Sequence, residues 1–334
     1  SLSERMIGYR PWGSDYHIIR ADLAVTFAAS GTIFHAYPAS YPLTYTSCGI
    51  DNRISQAPTR VITMNQGVTE FMLAMGLEDK MVGTAYLDDE IWPQYAEEYS
   101  SVPVLSSSYP TESEIMETNP NFILGSYRSA FRERSCTPDR CRGIFTDATV
   151  GPCEGSGSDF FESGSNATTS YSTCRPQLHA HGIGTWLEPV SCEDSDLKPQ
   201  GGASEQTVYA AIRQIGDIFD VRPVANQLVT SIRSDFATAK RTMQGLPDGA
   251  ALKTVWLDCV DCCDTDTELF VGAGTGAPNL IMQSAGLSNV FADVSGSWAC
   301  VDIRNIIESN PDIMVIVDAS WDSAMEKIEF LHNH

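Results

Sequence analysis

Short apolar runs alternate with segments of helical periodicity along most of this chain. The run RVITM at 60–64 precedes NQGVTEFMLAMGL, in which apolar residues recur at helical spacing between Asn65, a candidate cap, and Gly76, a candidate stop. The same order recurs between 80 and 127 and again after 253. Strands that alternate with helices predict mainly parallel sheets with helices on both faces, and therefore an α/β fold.

The pattern divides the chain into consecutive parts. Residues 1–54 alternate apolar and polar positions, which is typical of short strands of a cap. Residues 55–203 form one α/β lobe with a cysteine-rich insertion at about 133–180, and 247–334 form a second lobe that we expect to be trimmed at its end. Between them, 204–246 contains two helices, and the second is long enough either to bridge two lobes or to cross one large core.

The charge of the chain excludes one class of partner. The formal net charge is -22, whereas proteins that bind nucleic acids neutralise phosphates with lysine and arginine. We predict no nucleic-acid partner.

No apolar run is long enough to span a membrane. The chain starts without a basic and then apolar leader, which is compatible with removal of a leader or an anchor.

Cysteine usage indicates an oxidising compartment. Ten cysteines are many for a cytosolic protein, and several lie in a loop-like stretch rich in Ser, Gly and Asp that also contains the glycosylation sequon at Asn166. We expect a secreted or cell-surface glycoprotein of eukaryotic type. The candidate disulfide cysteines are Cys48, Cys136, Cys141, Cys153, Cys174, Cys192, Cys259, Cys262, Cys263 and Cys300.

Aromatic and polar residues collect where the predicted strands end. Ligands of open α/β sheets bind beyond the carboxyl ends of strands, and aromatic faces with a few polar groups suit a large, partly apolar ligand. A single tryptophan there is more often part of a core, but so many at strand ends favour a pocket. The candidate ligand-binding residues are Asn65, Gln66, Tyr86, Asp88, Trp92, Ser126, Tyr127, Arg128, Phe131, Trp186, Glu188, Trp256, Asp258, Gly272, Ala273, Gly274, Trp298, Asp318 and Trp321.

Motifs for catalysis, metals and nucleotides are weak. GAGTGAP at 272–278 lacks a complete dinucleotide fingerprint, so we interpret it as a turn that lets the backbone approach a ligand. The histidines of HAH at 179–181 suit a solvated surface better than a metal, and CVDCC at 259–263 suits disulfides better than zinc. We therefore predict no catalytic residue, no metal site and no cofactor.

Four segments resemble, in order, the class III substrate-binding proteins of ABC importers, the cobalamin and siderophore type. They are APTRVITMNQGVTEFMLAMGLEDKMVGTAY, VPVLSSSYPTESEIMETNPNFILGSY, YAAIRQIGDIFDVRPVANQLV and SAGLSNVFADVSGSWACVDIRNIIESNPDIMVIV. The resemblance implies two lobes joined by a long rigid helix, with the ligand in a cleft between them. It also implies that Trp298 packs on a corrinoid in the cobalamin-binding members.

The sequence departs from the bacterial members of this family at one docking position and in its cysteine-rich insertion. Family members carry a glutamate on each lobe that docks on permease arginines; Glu114 matches the first, but Arg304 replaces the second. Productive coupling to a bacterial cobalamin permease is therefore not expected. With the cysteine-rich insertion, these departures resemble the algal relatives of the family, which are the cobalamin acquisition proteins of diatoms and green algae and also the diatom ferrichrome-binding relative. The family blocks imply a Cys48–Cys192 disulfide.

The expected function is capture of cobalamin for uptake by a monomeric protein that is not an enzyme. The candidate residues include only Arg128 as a cation, whereas an anionic ferric siderophore favours a basic cluster. The alternatives are a ferrichrome-like siderophore or haem as ligand, a metal-dependent enzyme, and a surface adhesion module. The expected membrane partner is a transporter or an endocytic receptor.

Overall fold

In a computed structural model of the chain, the described residues are 5–9, 17–18, 40–131, 175–192, 194–244, 251–319 and 322–332. They divide into two compact units. The N-terminal unit comprises the described residues within 36–198 and 214–222, and the C-terminal unit comprises those within 1–35, 199–213 and 223–334.

The strands and helices follow the predicted order, with several additions. The strands are β1 Arg5–Tyr9, β2 His17–Ile18, β3 Leu43–Ser47, β4 Ile50–Ile54, β5 Val61–Met64, β6 Met81–Ala85, β7 Val104–Ser106, β8 Phe122–Gly125, β9 Gly184–Leu187, β10 Lys253–Cys259, β11 Glu268–Gly272, β12 Ser288–Asn289, β13 Trp298–Asp302 and β14 Ile313–Asp318. The α-helices are α1 Gln66–Ala74, α2 Ala96–Tyr99, α3 Glu112–Glu117, α4 Arg175–Ala180, α5 Glu205–Ile218, α6 Arg222–Gln244, α7 Ala277–Ser284, α8 Ile303–Ser309 and α9 Ala324–His332.

The sheet of the N-terminal unit is parallel throughout. Its order is β7-β6-β5-β8-β9, and every pair is parallel, as predicted. All four residues of β5 and of β8 are buried, because helices and the β3–β4 hairpin cover the two central strands. The hairpin is fastened to β9 by hydrogen bonds from Tyr45 Oη to Thr185 O at 3.0 Å and from Thr185 N to Asn52 Oδ1 at 3.0 Å.

The sheet of the C-terminal unit is mixed, which differs from the mainly parallel sheet that the sequence predicts for this lobe. β10 pairs in parallel with β14 and β12, but β11, β13 and β1 join antiparallel. The physical reason is that β10 and β11 are joined by the loop 260–267, which contains no helix to return the chain in parallel, so β11 pairs back on β10 as an antiparallel strand. β1 pairs with β14, so the N-terminal strands are divided between the units instead of forming one cap.

Alternation along β10 and β14 separates two apolar layers in the C-terminal unit. Val255 and Leu257 belong to one cluster, which includes residues of α8 and α9, while Trp256 belongs to the other with Met282 of α7. Side chains of successive strand residues point to opposite faces, so both faces of the sheet are covered. Strands that are covered on both faces appear in the sequence as continuous apolar runs.

The predicted break between two helices lies where α5 ends and α6 begins. α6 extends for 23 residues and has Pro223 in its first turn, where a missing N–H costs no helical hydrogen bond. Among the described helices, none combines the length and the apolar character that a membrane crossing requires. α6 lies in sequence between the strands of the two sheets.

Three disulfides join described cysteines. The Cys48–Cys192 pair implied by the family resemblance is confirmed, with a Cα–Cα distance of 5.2 Å. Cys259 pairs with Cys262, and Cys263 pairs with Cys300. Cys136, Cys141, Cys153, Cys174 and the sequon at Asn166 lie outside the described residues. The bonds that are described fit an oxidising compartment.

Candidate functional site

The carboxyl edge of the N-terminal sheet contains a change of direction in strand order. The chain passes from β5 to β6 and β7 on one side, then returns to β8 and β9 on the other. The crevice beyond the carboxyl ends at such a switch point is where open α/β sheets bind ligands. Here it lies between Asn65, which follows β5, and Ser126, which follows β8.

Asn65 begins a chain of uncharged hydrogen-bonding groups at this edge. Its Nδ2 donates to Tyr109 Oη at 2.9 Å, and Tyr109 Oη is 2.8 Å from Ser129 Oγ. Tyr86 lies against Tyr109 with ring centroids 4.5 Å apart. Neither Tyr109 nor Ser129 is among the sequence candidates: Tyr109 follows no predicted strand, whereas Ser129 lies at a predicted strand end, between the candidates Arg128 and Phe131.

The backbone at this edge is unusual at two non-glycine positions. Asn65 has φ of 77° and Tyr86 has φ of 52°, a region that side chains other than glycine and asparagine seldom adopt. Such conformations persist where the surrounding structure fixes them, and they concentrate at functional sites. Asn65 was predicted as a helix cap, but its side chain makes no cap hydrogen bond; Ser126 Oγ instead accepts from Val68 N at 3.2 Å.

Burial raises the pKa of several acidic groups at this edge. The pKa of Tyr109 is raised to about 12, and that of Tyr86 is also raised, so both phenols are neutral at physiological pH. Burial, with a smaller effect of neighbouring Asp89, raises the pKa of the Asp88 carboxyl. Loss of water around Glu188, which follows β9, raises its pKa from 4.5 to about 7.

Several predicted residues form the accessible surface of the edge. Tyr127 is 41% exposed, and the side chains beside it are partly buried. These partly buried members are Tyr86, Asp88, Trp92, Ser126, Arg128 and Glu188. Asn65 and Gln66 are fully buried beneath them. The carboxyl edge of the N-terminal sheet, which we call the N-terminal edge, therefore combines aromatic rings, neutral hydrogen-bonding groups and a single cation among its described candidates.

Three aromatic candidates are core residues, so their assignment as ligand contacts is wrong. Phe131 and Trp186 are 0% exposed and Trp256 is 2% exposed. Trp186 Nε1 donates to Gln214 Oε1 at 2.7 Å, while Phe131 packs in the apolar cluster beneath the sheet. The physical reason is side-chain direction: these rings point into the sheet faces and not beyond the strand ends.

Glycines at 272–276 in the C-terminal unit are explained by contact with the protein's own backbone. A Cβ on Gly274 would lie 2.0 Å from Ala292 O, and one on Gly276 would lie 2.5 Å from Ser297 O. Asn279 Nδ2 donates to Gly274 O at 2.7 Å and holds the same turn. The close approach that glycine permits is therefore to the loop 292–297, while Gly272 and Ala273 are buried and contact of this turn with a ligand stays a prediction.

Trp298 begins an edge strand instead of projecting from a loop. Its ring stacks on Phe270 with centroids 5.7 Å apart and an interplanar angle of 16°. The indole also packs on the cluster that contains Trp256, so it is partly buried and retains an accessible face. Asp258 and Asp318 are partly buried, Asp318 Oδ1 accepts from Ala324 N at 3.0 Å, and Trp321 lies outside the described residues.

The histidine and cysteine motifs have structural partners. His179 Nε2 lies 2.8 Å from Thr185 Oγ1, and burial together with nearby Arg175 lowers its pKa to about 4. Cys259, Asp261 and Cys262 bring potential metal-ligating atoms together, but the two sulfurs are joined in a disulfide and offer no thiolate. These observations favour the structural interpretations given to both motifs.

A cavity of about 620 Å³ opens near the amino-terminal ends of the strands of the N-terminal sheet, opposite the carboxyl edge. It is lined in part by Asn52, Asn121 and His179. The side chains of these three residues are already hydrogen-bonded to protein groups, and Asn121 Oδ1 accepts from Thr59 N at 3.1 Å and Arg60 N at 3.0 Å. The cavity is therefore distinct from the predicted edge.

The two candidate docking positions are both engaged at helix starts. Glu114 forms a capping box, in which its carboxylate accepts from Thr111 N at 2.7 Å and Thr111 Oγ1 accepts from Glu114 N at 3.3 Å. Arg304 forms two hydrogen bonds to Asp302, which caps α8. These bonds to Arg304 lower the pKa of Asp302 to about 2.

Comparison with solved structures gives the fold. A periplasmic binding protein from Veillonella parvula is 24% identical, with a TM-score of 0.60 over 82% of this chain and 76% of that chain. An ABC-type Fe3+-hydroxamate transport system protein from Saccharomonospora viridis is 22% identical, with a TM-score of 0.58 over 83% and 80%. A heme binding protein, HmuT, is 14% identical, with a TM-score of 0.53 over 85% and 71%.

No family model matches the sequence, and no curated protein matches it. The structural likeness is nevertheless extensive, since it covers more than two thirds of this chain and of each of those three chains. It agrees with the α/β organisation and the long helix of the structure. The chain has the fold of a periplasmic binding protein.

Proposed function

We propose that this protein captures cobalamin at the carboxyl edge of its N-terminal sheet and delivers it for uptake. The observation that carries the proposal is the chemistry of the N-terminal edge. Its accessible groups are aromatic rings, hydroxyls and carboxyls with raised pKa, with Arg128 as the single cation among the described candidates. Such a surface suits a large, nearly neutral ligand with apolar rims better than a polyanion.

A buried acceptor at the same edge supports a ligand with N–H donors. Asn65 Oδ1 has no hydrogen-bond partner among the described residues, although the side chain is fully buried. An unsatisfied buried polar atom costs roughly 1–3 kcal/mol, and a donor from a ligand can recover this cost once the side chains that cover Asn65 move aside. The amide side chains of a corrinoid provide such donors, whereas the propionates of haem provide acceptors.

A ferric hydroxamate siderophore is the second candidate. A neutral hydroxamate complex needs no basic cluster, so it meets the same charge criterion as cobalamin. The similar protein from Saccharomonospora viridis belongs to an Fe3+-hydroxamate transport system, which supports this alternative at the level of the fold.

Calorimetric titration with four ligands tests the proposal. We expect cyanocobalamin to bind with unit stoichiometry and without chemical change, and haem and a catecholate siderophore to bind at least tenfold more weakly. Ferrichrome is the competing neutral ligand. Tight binding of ferrichrome without cobalamin would select the second candidate, and product formation on prolonged incubation would instead identify an enzyme.

An Arg128 variant sharpens the test of charge. Replacing Arg128 by Leu should change the affinity for a neutral ligand less than threefold. It should weaken an anionic ligand about tenfold or more, because a lost charge-assisted hydrogen bond is worth about 1.5–3 kcal/mol. A cobalamin affinity that falls as steeply as that of an anion would contradict the neutral-edge argument.

The proposed setting is outside the cytosol. A secreted or cell-surface glycoprotein would present the loaded ligand, as a monomer, to a membrane transporter or an endocytic receptor. The described disulfides support an oxidising compartment. The pairing of Arg304 with Asp302 agrees with a partner surface different from that of a bacterial permease.

A further inference from the structure

The loop 86–92 supplies Tyr86, Asp88 and Trp92 to the N-terminal edge. It connects β6 to the short 3₁₀ turn Pro93–Tyr95. In the described part of the chain, backbone-to-backbone hydrogen bonds of this loop occur only at its ends, from Tyr86 N to Ser106 O and from Tyr95 N to Trp92 O. The middle of the loop therefore depends on side chains for its conformation.

Two buried side chains of α1 provide those contacts. Gln66 is 0% exposed; its Oε1 accepts from Asp89 N at 3.0 Å, and its Nε2 donates to Glu90 O at 3.0 Å. Glu70 is 8% exposed, and its Oε1 accepts from Trp92 N at 3.2 Å and from Gln66 Nε2 at 2.9 Å. One turn of α1 thus holds the loop at three backbone positions, 89, 90 and 92.

The spacing of the pair explains the arrangement. Residues four apart lie on one face of a helix, so Gln66 and Glu70 present their side chains to the same loop. A charged acceptor strengthens the hydrogen bonds it receives, and low solvent access protects them from competition by water. Ile91, which is 8% exposed, adds an apolar anchor between the polar contacts.

We infer that Gln66 and Glu70 are positioning residues that hold the loop 86–92 in the conformation that presents Tyr86, Asp88 and Trp92 to the ligand. Presentation of these residues to a ligand rests on the proposed function. The hydrogen bonds by which Gln66 and Glu70 hold the loop do not depend on it. It also changes the role of Gln66, which acts through the loop and not by touching the ligand. Glu70 has no counterpart among the sequence candidates.

Hydrogen exchange of the loop amides, combined with ligand titration, tests the inference. In Gln66→Met, which keeps the length of the side chain, the Asp89 amide should exchange at least tenfold faster, and cyanocobalamin should bind about tenfold more weakly. Glu70→Gln, which keeps an acceptor oxygen, should retain most protection at Trp92. Glu70→Leu should lose it.

Thr69→Val is the matched control. Thr69 is buried on the same helix and its Oγ1 bonds to Thr63 Oγ1 at 2.8 Å and Asn65 O at 2.9 Å, with no contact to the loop. It should lower the melting temperature while leaving the exchange of Asp89 and Trp92 within twofold of the wild type. Glu70→Leu replaces Gln66→Met if the latter does not fold.

The outcomes separate the inference from the proposed function. Unchanged protection of both amides in Gln66→Met and Glu70→Leu overturns the inference, and so does lost protection with unchanged affinity. If the wild-type protein binds none of cyanocobalamin, ferrichrome, haem and the catecholate siderophore, the proposed function fails. The exchange rates then decide the role of Gln66 and Glu70 on their own.

Discussion

The carboxyl edges of the two units are stabilised by different means. At the N-terminal edge, the loops after β5 and β6 are held by side-chain hydrogen bonds, such as those from Asn65 to Tyr109 and from Asp89 to Gln66, and a disulfide, Cys48–Cys192, fixes only the segment after β9. At the C-terminal edge, the loop after β10 is closed by the Cys259–Cys262 disulfide and joined to β13 by Cys263–Cys300. The glycine turn beside it packs backbone against backbone.

The way in which each edge is stabilised determines which perturbation it resists. Hydrogen-bonded loops with half-buried carboxyls respond to pH and to conservative substitutions, because each group depends on its protonation and its partner. Loops closed by disulfides respond to reduction. Under the proposed function, we expect the first kind of edge to adapt to a ligand and the second to remain fixed around Trp298.

The largest expected effect is loss of the covalent link at the C-terminal edge. Cys263→Ser combined with Cys300→Ser should lower the free energy of unfolding by about 4 kcal/mol, because the bond closes a long loop in the unfolded chain. The matched control, Cys259→Ser with Cys262→Ser, should cost only about 2 kcal/mol, since its loop is short. Denaturant titration measures both, and equal costs would contradict the loop-length argument.

The second effect is a pH dependence at the N-terminal edge. The folded pKa of Glu188 is raised from 4.5 to about 7, so its favourable contribution to stability is fully present below pH 4.5 and is lost as pH rises through 7. The loss is up to about 3 kcal/mol, and less where water still reaches the half-buried carboxyl.

Glu188→Gln provides the control for that pH dependence. The variant should not show the fall in stability between pH 4.5 and 7, and it should be more stable than the wild type above pH 7. Unfolding free energies at several pH values between 4 and 8 check the prediction. Parallel profiles for the two proteins would show that Glu188 titrates normally.

The third effect distinguishes the two roles of Trp298. Because the ring is partly buried against Phe270, Trp298→Ala should lower stability by about 2 kcal/mol, less than the 3–5 kcal/mol typical of a core aromatic. It should also weaken ligand binding about thirtyfold if the exposed face stacks on the ligand. Melting temperature and affinity are measured side by side; unchanged affinity in the folded protein would remove Trp298 from the site.

The smallest effect concerns the helix starts. Glu114→Ala should lower stability by about 1 kcal/mol, because it breaks the capping box with Thr111. Thr111→Ala should cost a similar amount, which makes it the reference for a purely structural role. Binding to the membrane partner, once that partner is isolated, should be lost in Glu114→Ala only if Glu114 also docks.

The strands with continuous apolar runs could be predicted from the sequence. β5, β8 and β14 are buried on both faces, so their residues leave a strong pattern, and α1 has clear start and stop signals. β11 and β13 could not be predicted, because both are only partly buried and leave no continuous apolar pattern. Pairing of β1 with β14 joins residues too distant for any local pattern.

The candidate site was predictable in position but only partly in composition. The rule that strand ends form the site correctly gives Asn65, Tyr86 and Ser126 as neighbours in one edge. It cannot tell an accessible aromatic from a buried one, and so it includes Trp186 and Trp256. It also misses Tyr109 and Glu70, whose roles depend on tertiary contacts and not on proximity to a strand end.

The position of β14 in its sheet determines when the C-terminal sheet can form during synthesis. β14 is the last strand in sequence, yet it lies between β10 and β1 in the middle of its sheet. The C-terminal sheet therefore cannot close until residues 313–318 have left the ribosome, whereas the strands of the N-terminal sheet emerge much earlier. Until then β10 has one unpaired side, and an unpaired apolar strand is prone to aggregation.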